Sequence, residues 1–153
     1  MAHFKIRREA EEVFFKHVVR TDGRPTAPLS TKFDLFYLCL MMGLQTRRTS
    51  SPGNAPGFID YFVADYKAQE MTVVGLLLCA ELERDGVSMD DRPEVKATLA
   101  RFVGSAGLTD DGVTRLNEYA SGGYDALVEQ YGGVPYSWDE FLPWYVTEIG
   151  MTT

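Results

Sequence analysis

Apolar residues recur at intervals of three and four along most of the chain and nowhere alternate for long, which is the period of the α-helix and not of the strand. Ile6, Ala10, Val13, Phe14 and Val18 fall on one such stripe, predicting a helix over 6–19 with a charged opposite face. The next residues, Arg20 to Pro28, contain Asp22-Gly23, Pro25 and Pro28, which cannot extend a helix, so they read as a surface loop. Ser30 or Thr31 then offers an N-cap, and Asp34 suits the positive end of the following helix. From Phe33 to Leu44 that helix is apolar almost all round, which places it at the centre of the core.

Thr49 to Gly57, rich in Ser, Pro and Gly, is the clearest loop. A short helical turn is expected over 58–62, and Asp65 is expected to cap a long helix running to about Arg84 and closed by Gly86. Asp90 or Asp91 with Pro93 opens the next helix, whose inner stripe would be Val95, Leu99, Phe102 and Val103 before Gly104 ends it. Thr109 starts another, with Leu108 and Val113 spaced as a hydrophobic staple, and Gly122-Gly123 is expected to divide it into two short helices. Ser137-Trp-Asp-Glu140 has the form of a capping box, flanked by Tyr136 and Phe141, for a last helix to about Ile149 with a kink at Pro143. The expected fold class is all-α, a compact single-domain bundle of six or seven helices.

Length and composition agree with one domain. A chain of 153 residues buries roughly two thirds of its unfolded surface. Nine Phe, eight Tyr and two Trp can fill a core without disulfide or metal. Cys39 and Cys79 each sit in an apolar run and are expected in that core. No apolar stretch reaches the roughly 20 residues of a membrane span, and the charged N-terminus has no apolar signal core, so a cytoplasmic protein without membrane contact is expected.

Charge changes this picture. Residues 1–48 carry nine Lys/Arg against five Asp/Glu, an excess of four positive charges, while the rest carries six against 17, bringing the whole to −7. A basic N-terminal part of this kind suits phosphates or an acidic partner. Lys5, Arg7, Arg8, Arg20, Arg24, Arg47 and Arg48 are therefore the candidate nucleic-acid contacts, although Arg47-Arg48 also suits the carbonyl end of its helix. The aromatic cluster Tyr131, Tyr136, Trp138, Trp144 and Tyr145 is the candidate surface for a larger protein subunit.

Catalytic signatures are missing. His3 and His17 stand in no zinc-binding spacing, neither Cys has a His nearby in sequence, and no glycine-rich phosphate loop occurs, so no metal, cofactor or nucleophile is expected. Asp90-Asp91, Asp110-Asp111 and Asp139-Glu140 fall at helix starts, where capping accounts for them. The rival to a binding protein is a hydrolase or nuclease whose site assembles only in three dimensions, from residues such as Asp60, Asp65, Lys67, Glu70 and Glu81.

Three segments, Lys32 to Arg48, Val73 to Glu83 and Asn117 to Leu127, together resemble the small helical proteins known as Dnd-system-associated protein 4, which accompany bacterial DNA phosphorothioation and phage-restriction genes. The resemblance covers about residues 30–130. It is carried by Gly43-x-x-x-Arg47-Arg48 and by Glu118-Tyr-Ala-x-Gly-Gly123, while the Thr49–Gly57 loop and the aromatic C-terminus depart from the pattern. It implies an accessory role in DNA modification or antiviral defence, with a larger subunit and DNA as partners, and no reaction of its own.

Overall fold

A computed structural model describes residues 2–18, 29 and 31–150. The chain is mainly helical, with 64% of the described residues in helices, and its α-helices are α1 (Lys32–Thr46), α2 (Glu70–Arg84), α3 (Arg92–Phe102), α4 (Asp110–Tyr131) and α5 (Trp138–Gly150). It is not purely all-α. Strands β1 (Phe4–Lys5) and β2 (Gly57–Ile59) pair antiparallel, as do β3 (Val103–Gly104) and β4 (Gly107–Leu108). Among the described residues no helix is long and apolar enough to cross a membrane.

Several caps form as the sequence predicts. Thr31 and Asp34 make a reciprocal capping box on α1, Asp91 caps α3 with Pro93 in its first turn, and Thr109 accepts from the Gly112 N–H at 3.0 Å on α4. Ser137 accepts from the Glu140 N–H at 3.2 Å, but the Glu140 carboxylate turns to the Tyr131 hydroxyl at 2.5 Å, so only half of the expected box closes.

Other elements differ. In place of a helix over 6–19, strand β1 is followed by a π-helical segment, Ala10–Phe14. The bond from the Phe15 N–H to the Ala10 carbonyl, 2.7 Å, spans five residues. That wider turn brings Phe14 and Phe15 both inward and leaves Val13 51% exposed, so the strict 3.6-residue stripe fails there. The expected turn at 58–62 is instead β2, held by β1. Ahead of α2 runs a 3₁₀ segment, Ala64–Gln69, and Asp65 lies inside it without capping it. In α3 only Phe102 is deeply buried, Leu99 is exposed, and Val103 belongs to β3. Cys39 is buried, but Cys79 is exposed and not a core residue. Arg20 to Pro28, expected as a loop, and Ser30, the alternative N-cap, lie outside the described residues.

The largest correction concerns Gly122-Gly123, which does not divide α4. The 22-residue helix runs through both glycines because α1 and the segment that follows it lie directly against them. A Cβ on Gly123 would stand 1.7 Å from the Cys39 carbonyl oxygen, one on Gly43 1.8 Å from that of Tyr119, and one on Gly122 2.2 Å from that of Arg48. Backbone meets backbone, a crossing that no larger residue permits. Around it one cluster of buried side chains extends from Phe4 through Phe36 and Leu40 to Tyr119, Phe141 and Tyr145.

Gly43→Ala or Gly123→Ala should therefore cost at least about 3 kcal/mol, because overpacking there meets rigid backbone. Gly75→Ala on the exposed face of α2, where a Cβ meets nothing within 4 Å, should instead stabilise by about 0.5–1 kcal/mol. Urea unfolding of the three variants checks both signs.

Candidate functional site

The segment Asn117–Asp125 of α4 organises the region around the N-terminus. Asn117, buried, accepts from the Lys5 N–H and donates to the His3 carbonyl, both at 2.9 Å, so its amide serves β1 as a neighbouring strand would. The Glu118 carbonyl accepts from the Ser50 N–H at 3.1 Å, and the Ser121 hydroxyl lies 2.8 Å from that of Ser50 and donates to the Ser51 carbonyl. The Tyr119 hydroxyl donates to buried Glu81 at 2.6 Å, whose other oxygen pairs with Arg115 at 2.9 Å. Each turn of this helix thus holds a different element.

The structure sorts the predicted basic residues into two groups. Arg7 binds Asp125 and Glu9, and its guanidinium lies 4.9 Å from the centre of the Tyr124 ring. Burial works against its charge, but the two carboxylates outweigh this and hold its pKa above the ordinary value. Arg47 caps the Leu44 carbonyl and pairs with Glu83 at 2.8 Å, while Arg48 grips Glu129 with both nitrogens at 2.7 and 2.9 Å. The hydrogen bonds between Arg48 and Glu129 raise the one pKa and lower the other. Arg20 and Arg24 lie outside the described residues.

Lys5 and Arg8 form the other group, joined by Lys32, which the sequence did not single out. Their side chains have no hydrogen bond or ion pair among the described residues. All three border clefts around the Ser50–Pro56 loop. One of about 630 Å³ lies between Arg7, Arg8 and Glu9 and the segment Ser50–Ala55. A second, about 330 Å³, is lined by His3, Lys5, Pro52, Thr114, Asn117 and Glu118. A third, about 160 Å³, lies among Arg7, Arg8, Glu11, Glu12, Lys32 and Phe58. The loop was legible from its Pro and Gly residues, but nothing in the sequence placed β1 and α4 beside it.

The aromatic residues separate similarly. Tyr145 is buried, and its hydroxyl donates to the Leu38 carbonyl at 2.7 Å, so it packs α5 onto α1. Tyr131 and Trp144 stack edge to face at 4.9 Å, with Trp138 against Phe141. Tyr136 alone among the five is widely exposed, at 71%, with its ring stacked on His17.

The five residues of the rival reading, four carboxylates and Lys67, do not converge. Glu81 is enclosed by Arg115 and Tyr119, Glu70 pairs with Lys67 at 2.7 Å, Asp60 and Asp65 are exposed, and none of the five lines the three clefts. Among the described residues no group of three His, Cys, Asp or Glu is placed to hold a metal ion. Compared with protein-family models, curated proteins and solved structures, the chain matches none.

Two phenols, buried Tyr124 and half-buried Tyr131, predict an alkaline limit. Burial pushes Tyr124 up to about 12, and burial together with Glu140 does the same for Tyr131. Because an unfolded Tyr ionises near pH 10, the folded state holds these protons more tightly. Its stability should be full below pH 10 and fall as pH rises toward 12. Denaturant midpoints measured from pH 8 to 12 check this.

Proposed function

We propose that this chain is a non-enzymatic binding protein, an accessory or adaptor subunit of a bacterial DNA-modification or antiviral-defence complex, and that it contacts the nucleic-acid backbone beside the Ser50–Pro56 loop. The observation that carries the binding role is the sorting of cations. Arg7, Arg47 and Arg48 spend their charge on Asp125, Glu83 and Glu129, whereas Lys5, Arg8 and Lys32 border open clefts without an acidic partner of their own. Hydroxyl and amide groups of Ser51, Asn54 and Thr114 line the same clefts and suit phosphate and sugar oxygens.

The defence context is supported by the resemblance of residues 30–130 alone. Docking to a larger subunit is supported by α5 and the segment before it, where Tyr136 and Val146 are exposed beside half-buried Trp138 and Trp144. An aromatic anchor rimmed by less exposed rings is a common centre of binding energy.

With a net charge of −7, binding depends on the local excess of cations and so on salt. Mobility-shift titrations on DNA at low and moderate salt test the role. Lys5→Ala and Arg8→Ala should each weaken binding on every sequence and flatten the salt slope by about one unit. Arg48→Ala should leave both nearly unchanged. An unmodified chain that binds no nucleic acid at low salt overturns the assignment.

A further inference from the structure

The cations beside the Ser50–Pro56 loop do not lie on an open plane. Arg8 borders the 630 Å³ cleft, Lys5 the 330 Å³ cleft and Lys32 the smaller third. Pro52 borders the first two, and Arg7 and Arg8 border the first and third, so the three follow one another as a track around the loop. Carboxylates line the same track: Glu9, Glu11, Glu12 and Glu118. Of these, Glu9 is occupied with Arg7 and Glu118 with Arg115.

This mixture favours one strand over two. Duplex DNA is a stiff rod carrying a negative charge about every 1.7 Å along its axis, against about 3.4 Å for a single strand. A rod cannot follow a track that bends around a loop, and it brings twice the charge per length toward the four carboxylates. A single strand bends, spaces its phosphates to reach recessed cations, and offers bare base faces. Flat rings are present for those faces. His3 is exposed in the cleft with Lys5, and Phe58 is half-buried in the cleft with Lys32.

Resting on the binding role proposed above, we infer that the track around the Ser50–Pro56 loop takes single-stranded nucleic acid in preference to duplex. Phosphates lie on Lys5, Arg8 and Lys32, and bases stack on His3 and Phe58. The contact is short, and with three cations the salt slope should be about −2.

Fluorescence anisotropy with a labelled 12-nucleotide mixed-sequence strand, and with the same sequence as a duplex, tests the inference on the full chain at low salt. The single strand should bind at least roughly tenfold more tightly. His3→Ala removes a stacking face while keeping the backbone carbonyl used by Asn117, and should lower single-strand affinity roughly fivefold or more. Circular dichroism and melting of each variant separate this from loss of fold. Duplex binding as tight as single-strand binding overturns the preference and leaves the binding role standing. An unchanged affinity in folded His3→Ala removes the stacking assignment. Failure of both probes to bind at low salt overturns the binding role itself.

Discussion

Everything else in this fold hangs on one close approach, that of the α1 and α4 backbones at Gly43, Gly122 and Gly123. With 1.7 and 1.8 Å between the would-be Cβ atoms and carbonyl oxygens of the facing helix, the two axes can come no nearer and the register has no freedom. Two helices locked in this way fix what leaves them. Since Gly122 admits the Arg48–Thr49 backbone, the chain leaving α1 must pass directly over α4, where Glu118 and Ser121 catch Ser50 and Ser51. The loop that borders the clefts is thus positioned by the helix crossing.

The same constraint explains how the charge of the sequence is distributed in space. The basic N-terminal part and the acidic remainder pack against each other, so Arg7 meets Asp125, Arg47 meets Glu83 and Arg48 meets Glu129. Of these pairs the one at Arg7 is half-buried, and the exposed two at Arg47 and Arg48 contribute only about 0–1 kcal/mol each. The larger effect of all three is electrostatic, because they remove three arginines from the local positive field. Of the basic residues described in 1–48, Lys5, Arg8 and Lys32 are left around one loop.

Elements governed by local chemistry were legible before the structure. Thr31 with Asp34, Asp91 with Pro93, Thr109 and the apolar run from Phe33 to Leu44 all act through neighbours within a few residues. Elements governed by distant partners were not. Propensity alone makes Gly122-Gly123 a break, and only the presence of α1 makes it a contact surface. The strand Gly57–Ile59 has no alternation to announce it and exists because β1 lies beside it. The π-turn at Ala10–Phe14 differs from an α-turn by one residue per bond, too little for a hydrophobic pattern to register. At the site, the charge asymmetry singled out the first third of the chain. It could not separate Arg8 from Arg48, since that distinction depends on whether Glu129, 81 residues away, comes within 3 Å.

Asn117 joins these threads. A buried amide in the middle of a helix is costly unless both its ends are satisfied, and here β1 satisfies both through the His3 carbonyl and the Lys5 N–H. The cost of leaving that amide unpaired is what holds a two-residue strand in place, since a ladder this short has little stability of its own. Lys5 and His3 therefore keep fixed positions beside Pro52, and the fixed backbone carries two side chains that face the cleft. The α4 segment that reads as a motif, Asn117 to Asp125, is in this light a set of docking points: for β1 at Asn117, for the loop at Glu118 and Ser121, for α2 through Tyr119, for α1 at Gly122 and Gly123, and for Arg7 at Tyr124 and Asp125. Such a segment is constrained at nearly every position by architecture alone, and the side chains free to act on a partner are those it positions without binding.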